Sequence, residues 1–125
     1  YLQRFDNCGN YYSLEIDNKN LLEFMKDYFE IVKKEKVKRY HLNKETFTLI
    51  DHSSFNEYLF SKNGNEIYNY FDVYNLSTKS ESPNIYYSYN QSLKIVKLTY
   101  LIENEIEKLD KLNLFKRDLS KCIDN

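Results

Sequence analysis

The chain has 125 residues, the size of one domain, and its 42% hydrophobic and 30% charged residues are the proportions of a folded globular protein. Its formal net charge of −1 gives the molecule as a whole no field that would attract nucleic acid or anionic lipid. No apolar run approaches the roughly 20 residues that span a bilayer, so we expect no membrane span.

The composition is skewed towards residues with A/T-rich codons, since Asn, Lys, Tyr, Ile and Phe are abundant while Ala and Trp are absent. An A/T-rich genome therefore explains part of the 13 tyrosines. This lowers the weight of the tyrosines as a sign of a recognition surface.

Two cysteines, Cys8 and Cys122, lie near opposite ends of the chain. A small secreted scaffold held by disulfides would carry more cysteines, so we expect two free thiols in a cytoplasmic protein. A disulfide between them stays open, because domain termini are often close in space. A secreted origin also stays open, because the chain begins with Tyr1 and not with Met.

The first long periodic element is an amphipathic helix. Within residues 1–16 before it, four residues indicate a short strand or an extended arm: Tyr11, Tyr12, Leu14 and Ile16. Asn20 is the predicted N-cap and Glu23 falls at the third helical position, as in a capping box. Apolar residues then recur at helical spacings: Leu21, Leu22, Met25, Tyr28, Phe29 and Val32. We expect the helix to end near Lys36, since lysines complement the negative end of the helix dipole.

From Val37 the hydrophobic period changes to two, which predicts a hairpin over residues 37–49 with a turn at Asn43-Lys44. A stronger signal follows over residues 55–74, where Asn63-Gly64 suits a type I′ turn with positive φ at both central residues. The predicted register sets Phe60 opposite Ile67, Tyr58 opposite Asn69 and Asn56 opposite Phe71.

This central hairpin has two distinct faces. The face that contains Phe60, Ile67 and Phe71, extended by Val73, is mostly apolar and should meet the core. The other face suits partial exposure and carries Glu57, Leu59, Ser61, Glu66, Tyr68, Tyr70, Asp72 and Tyr74.

The remaining elements are a polar loop over residues 77–83, a last strand over residues 85–89 and a helix over about 92–111, with Ser88 and Gln91 as a capping box. Asn113 interrupts this helix before a last helical turn within residues 114–123. The fold prediction is one α+β domain over residues 1–125, with an N-terminal helix, an antiparallel meander sheet of about four to five strands and a long C-terminal helix.

Chemistry that needs a recognisable motif is not indicated, and we expect no cofactor, no metal and no catalytic residue. The only glycines are Gly9 and Gly64, so no phosphate-binding loop can be formed. The two histidines, His41 and His52, lack the close ligand spacing of zinc sites. Asp51-His52-Ser53 has the residue types of a catalytic triad, but neighbours on a strand point to opposite faces. An enzyme built from His41, Asp51 and His52 is the third-ranked hypothesis. The last helix also carries three acidic residues that are expected on a solvated face: Glu103, Glu105 and Glu107.

The leading functional hypothesis is a non-enzymatic protein-binding module, such as a small inhibitor, an immunity-type protein or an accessory domain. Aromatic side chains with polar tips are favoured at protein interfaces. The predicted binding face combines tyrosines of the hairpin with tyrosines of the last strand: Tyr68, Tyr70, Tyr74, Tyr86, Tyr87 and Tyr89. A helix that covered this face would instead make them ordinary boundary residues, and that interpretation stays open.

The alternative hypothesis is a nucleic-acid-binding domain. Its signal is a basic run in which lysines would hold phosphates while sheet tyrosines stack bases: Lys33, Lys34, Lys36, Lys38 and Arg39. Lysines are often found at helix C-termini only because they interact favourably with the helix dipole, so nucleic acid ranks below protein as the expected partner.

Two triplets, Asn75-Leu76-Ser77 and Asn90-Gln91-Ser92, match the glycosylation sequon. In an Asn-rich sequence such triplets arise by chance.

Overall fold

Helices and antiparallel strands share this chain, so its class is α+β. The computed structural model describes residues 1–6, 9–45, 55–78 and 83–118. In chain order its elements are β1 (Phe5–Asp6), β2 (Gly9–Tyr11), α1 (Lys19–Val32), β3 (Phe55–Lys62), β4 (Asn65–Asp72), a 3₁₀ turn (Val73–Leu76), α2 (Tyr87–Ser92), α3 (Lys94–Lys111) and β5 (Arg117–Asp118). None of the helices in these ranges is both long enough and apolar enough to cross a bilayer.

The central hairpin and its register are confirmed. β3 pairs antiparallel with β4, with Phe60 opposite Ile67 and Tyr58 opposite Asn69. Asn63 and Gly64 have φ values of 51° and 76°, the left-handed pair that a type I′ turn requires. The turn chemistry and the period-2 pattern agree at this hairpin, which is why the sequence alone specifies it.

The predicted four- to five-stranded meander is wrong. The described strands form two separate sheets, the β3–β4 hairpin and a small sheet with the order β1-β2-β5. Residues 37–41, predicted as a strand, carry no regular secondary structure, and residues 85–89 form a turn that enters α2. The second half of the predicted 37–49 hairpin, the Asp51-His52-Ser53 run and both cysteines lie outside the described residues.

Local hydrogen bonding explains why residues 85–89 do not form a strand. The side-chain oxygen Oδ1 of Asn84 accepts from the backbone N–H of Tyr86 at 3.0 Å, which closes an Asx turn. The backbone N–H of Tyr87 donates to the carbonyl of Asn84, and the chain continues into α2. The predicted capping box is also wrong, because Ser88 and Gln91 both lie inside α2.

α1 begins two residues earlier and ends four residues earlier than predicted. Its N-cap is Asn18, whose Oδ1 accepts from the N–H of Leu21 at 3.1 Å. The Nδ2 of Asn18 donates to Glu105 on α3 at 2.6 Å, so one side chain caps α1 and also ties the helix to its neighbour. Glu105 is therefore buried, which corrects its expected place on a solvated face.

The main core lies between α1, the inner face of the hairpin and the first half of α3. It contains three fully buried residues of α3, Ile95, Val96 and Leu98, and the N-cap of that helix, Leu93. The other buried core residues come from α1 and the hairpin: Leu21, Phe29, Val32, Phe60, Ile67 and Phe71. Val73, expected on the inner face, is 42% exposed because the strand gives way to the 3₁₀ turn at that residue. Tyr11, Leu109 and Phe115 form a second cluster beside the small sheet.

α3 is an 18-residue helix where a helix over about 92–111 is predicted, but it is not the last element. It ends in a left-handed Asn113, φ 53°, with the Leu114 N–H donating to the carbonyl of Leu109 at 3.1 Å. This is the hydrogen-bond pattern of a Schellman cap. Residues 117–118 then pair with β2, so the predicted helical turn after Asn113 is wrong within the described residues.

Candidate functional site

Within the part of the chain that the structure describes, the outer face of the β3–β4 hairpin carries the largest set of exposed apolar side chains on strands. Four side chains alternate with the buried inner residues, and their exposed fractions are 56% for Phe55, 63% for Leu59, 63% for Tyr68 and 46% for Tyr70. By contrast, Phe71, which lies on the inner face of β4 next to Tyr70, is only 2% exposed. We call these four residues, with Glu57 and Glu66, the outer hairpin face.

The strand register makes this apolar surface continuous across both strands. Leu59 stands directly opposite Tyr68, and Phe55 lies diagonal to Tyr70 with ring centroids 4.9 Å apart. Cross-strand pairs at this spacing contact one another and limit each other's rotamers. The four side chains therefore form one partly pre-organised strip instead of four independent exposed residues.

Carboxylates flank this strip. Glu57 stands opposite Tyr70, and Glu66 is two residues from Tyr68 on the same face of β4. The pKa of the Tyr68 phenol is raised above its ordinary value of 10.0, first by desolvation and then by the charge and hydrogen bond of Glu57. A raised phenol pKa is what a negative local potential produces.

The six tyrosines predicted as one binding face fall on three different elements. Tyr68 and Tyr70 lie on β4, and Tyr74 lies in the 3₁₀ turn, where its ring meets Tyr40 edge-on at 6.1 Å. The other three are carried by α2 and the turn before it, not by a strand: Tyr86, Tyr87 and Tyr89.

One lysine of the basic run, Lys38, contacts the rings of Tyr86 and Tyr89. The Nζ of Lys38 lies 4.7 Å from the ring centre of Tyr86 and 4.4 Å from that of Tyr89. The ring of His41 also contacts Tyr86, at 5.7 Å between centroids. The remaining basic side chains lie exposed after the end of α1: Lys33, Lys34, Lys36 and Arg39.

Three buried asparagines hold this region together, and sequence reasoning missed them. Asn90 is 0% exposed, accepts from the Lys38 N–H at 2.9 Å and donates to the Lys38 carbonyl at 2.9 Å. Asn75 accepts from the N–H of Tyr40, and Asn84 accepts from the N–H of His41. The backbone of residues 37–41 was expected to hydrogen-bond to a neighbouring strand. Asparagine side chains provide the hydrogen-bond partners instead.

Both sequon asparagines belong to this cluster. The Nδ2 of Asn90 donates to two backbone carbonyls, and Asn75 is 7% exposed. A glycan must be attached at that same amide nitrogen, which the fold buries. The two sequons therefore match a modification pattern while serving as internal hydrogen-bond donors and acceptors.

The potential metal ligands of the described ranges do not form a cluster. No group of three or more potential metal ligands occurs there. The Nδ1 of His41 lies 3.1 Å from the carbonyl of Arg39, and Asp51 and His52 lie outside the described residues. A shallow depression of about 230 Å³ beside the hairpin turn is lined by Phe29, Glu30, Lys62, Asn63 and Asn65.

The carboxylates of α3 have structural partners. Glu103 accepts from the hydroxyl of Tyr58 at 2.8 Å, and Glu105 accepts from Asn18. Glu107 alone of the three is exposed, in an i,i+4 ion pair with Lys111 that lowers its pKa. None of them faces the outer hairpin face.

Comparisons of the chain with protein-family models, with curated proteins and with solved structures found no significant match. Its function is therefore argued from the geometry and chemistry of the chain itself.

Proposed function

We propose that this chain is a cytoplasmic, single-domain, non-enzymatic protein-binding module of the inhibitor, immunity-protein or accessory-domain type, and that the outer hairpin face contacts the partner. The observation that carries the proposal is the exposure of Phe55, Leu59, Tyr68 and Tyr70 on a hairpin whose other face is buried. Contiguous exposed apolar side chains on a soluble domain commonly mark an interaction surface.

The energetics of association favour such a strip. Tyrosine and phenylalanine lose few rotamers on binding, and burying apolar surface contributes about 25 cal/mol per Å². The hairpin strands each hold eight residues, so at about 3.3 Å per residue the face is roughly 25 Å long. This length suits the centre of a standard interface, with polar neighbours as its rim.

A capture experiment with matched variants tests the proposal. Tyr68→Ser combined with Tyr70→Ser removes two exposed rings of the outer hairpin face and should abolish capture of a specific protein from the native host. The control is Tyr1→Ser combined with Tyr12→Ser, two exposed tyrosines outside the hairpin and outside the predicted binding face, which should leave capture unchanged.

A photo-crosslinking residue at position 68 adds direct proof of contact. It should crosslink to the captured protein, whereas the same residue at position 12 should not. Equal capture by both double variants, with both folded by circular dichroism, would refute the proposal.

The alternative is a nucleic-acid site at the basic run of residues 33–39, favoured by the contact of Lys38 with the rings of Tyr86 and Tyr89. Phosphate contacts release counterions, so the affinity should fall steeply with salt concentration. A mobility-shift titration at two salt concentrations tests this, with Lys38→Gln and Arg39→Gln as the variants and Lys97→Gln on α3 as the control. Absence of a salt-dependent shift would refute it.

A further inference from the structure

We infer that the partner of the outer hairpin face presents lysine and arginine side chains to it. This inference rests on the proposed protein-binding function and specifies the chemistry of the partner. It follows from three features of the face: the sign of its charges, the charge of the surrounding sequence and the availability of its aromatic rings.

The charged side chains in the outer-face positions of β3 and β4 are all acidic: Glu57, Glu66 and Asp72. The one lysine of the hairpin, Lys62, belongs to the opposite face. Its Nζ donates to the carbonyl of Lys26 at 3.3 Å and lies 5.5 Å from the ring centre of Phe29. No lysine or arginine therefore neutralises the outer hairpin face from within the hairpin.

The surrounding sequence has the same charge imbalance. Residues 45–78 contain Lys62 as their single lysine or arginine, against five carboxylates: Glu45, Asp51, Glu57, Glu66 and Asp72. The chain as a whole has a formal net charge of −1. The charges are thus segregated along the chain, and an acidic segment carries the exposed rings.

Cations contact aromatic rings at several other places in this molecule. Lys94 lies 4.4 Å from the ring centre of Tyr28, and Arg4 lies 5.2 Å from that of Tyr11. In the described part of the chain, no such contact involves Phe55, Tyr68 or Tyr70. Their exposed faces are therefore available to a cation from outside, which an aromatic ring attracts through its quadrupole.

An arginine-bearing protein surface is complementary to the carboxylates and to the exposed rings at once. Its guanidinium groups can stack on the tyrosine rings while they pair with Glu57 and Glu66. A phosphate backbone would instead meet like charges at the two carboxylates that flank the apolar strip. Charge complementarity of this kind sets partner choice and association rate more than total affinity.

Two synthetic peptides test the inference on the full chain. One alternates leucine with arginine, and the other replaces each arginine by citrulline, which keeps the shape and removes the charge. In a ¹⁵N NMR titration at low salt, the arginine peptide should shift the amide resonances of residues 57–59 and 66–70. It should bind roughly tenfold more tightly than the citrulline peptide, since two exposed ion pairs and a cation–π contact each contribute a few-fold.

Matched variants locate the charge effect. Glu57→Gln combined with Glu66→Gln should weaken binding of the arginine peptide about fivefold, as expected for two exposed pairs. Glu15→Gln combined with Glu23→Gln makes the same change in net charge at exposed sites outside the hairpin and should leave the affinity unchanged.

Three results would overturn the inference: citrulline peptide binding as tightly as arginine peptide, an equal effect of both double variants, or no hairpin shifts with the arginine peptide. Binding of a single-stranded oligonucleotide at the same resonances would also contradict it. None of these results decides the proposed function, which depends on the capture comparison of the Tyr68→Ser/Tyr70→Ser variant with its control.

Discussion

Replacement of Asn90 is the sharpest test of how this fold is held together. Its side chain joins α2 to residues 37–41. It accepts from the backbone N–H of Lys38 and donates to the carbonyl of Lys38, both at 2.9 Å. It also donates to the carbonyl of Asn75 at 2.6 Å. Asn90→Leu keeps the branched shape of the side chain and removes all three hydrogen bonds.

The stability lost in Asn90→Leu depends on whether each former hydrogen-bond partner of Asn90 can find another partner. The Asn75 carbonyl keeps a second donor, the Nδ2 of Asn84 at 3.1 Å. The two backbone groups of Lys38 are only partly buried and can regain water. At about 1 kcal/mol for each hydrogen bond, we expect a loss of roughly 2–3 kcal/mol and a fall in Tm of roughly 10 °C.

Asn90→Asp is the matched variant, because it exchanges only the Nδ2 group for an oxygen. That oxygen would face the carbonyls of Lys38 and Asn75 inside a fully buried site. Desolvation and these dipoles raise the pKa of the new carboxyl above about 3.9. Its folded form then holds a proton that the unfolded form releases, so relative stability should fall as the pH rises from about 4.

Chemical denaturation at pH 4 and pH 7, with amide hydrogen exchange, measures both effects. Asn90→Asp should be less stable than Asn90→Leu at pH 7 and should recover part of the difference at pH 4. The amide of Lys38 should lose protection in Asn90→Leu and keep more of it in Asn90→Asp, whose remaining oxygen can still accept from that N–H. An Asn90→Asp chain as stable as wild type at pH 7 would refute the assignment of Nδ2 as a donor to two carbonyls.

Three further predictions concern the turn and the helix contacts. Gly64→Ala meets no neighbouring atom but places a side chain at φ 76°, so denaturation should show a loss of about 1 kcal/mol from backbone strain alone. Tyr58→Phe removes the 2.8 Å hydrogen bond to Glu103 and should cost about 1 kcal/mol at neutral pH. Burial first and Glu103 second raise the pKa of Tyr58 above 10.0. The stability of the wild type should therefore fall as the pH rises beyond 10.0. Denaturation at several pH values should show that this part of the alkaline loss is absent in Tyr58→Phe. Asn18→Ala removes the cap of α1 and a hydrogen bond to the buried Glu105, so unfolding should show a loss of about 2 kcal/mol, whereas a change below about 0.5 kcal/mol would contradict the double role.

The hairpin shows how far local patterns can be read. Asn63-Gly64 specifies the turn, the turn specifies the register, and the register decides which side chains share a face with Phe60. Each of these steps depends on residues close together in sequence, which is why no tertiary information is needed for them. The same alternation places Tyr68 and Tyr70 on the face opposite Phe60, but the sequence left open whether a helix covers that face, and their exposure is seen only in the structure.

The region around Asn90 shows where local patterns fail. Tyr40 and Leu42 alternate with polar residues as in a strand, yet the backbone of residues 38–41 bonds to asparagine side chains and to Ile85. Asn90 is 52 positions from Lys38, so no sequence window contains both partners. In an Asn-rich chain, no local sequence pattern distinguishes the three buried asparagines, Asn75, Asn84 and Asn90, from the exposed ones.

The sequence by itself determined the hairpin, the amphipathic stripe of α1, the interruption of the last helix at Asn113 and the alternation that places Tyr68 and Tyr70 opposite the face of Phe60. Tertiary structure alone decided that the strands form two small sheets, that α2 replaces a strand and that Lys38 meets Tyr86. The physical reason is that periodicity and turn chemistry are properties of neighbouring residues. Which backbone groups find partners is decided by the burial of distant side chains against them.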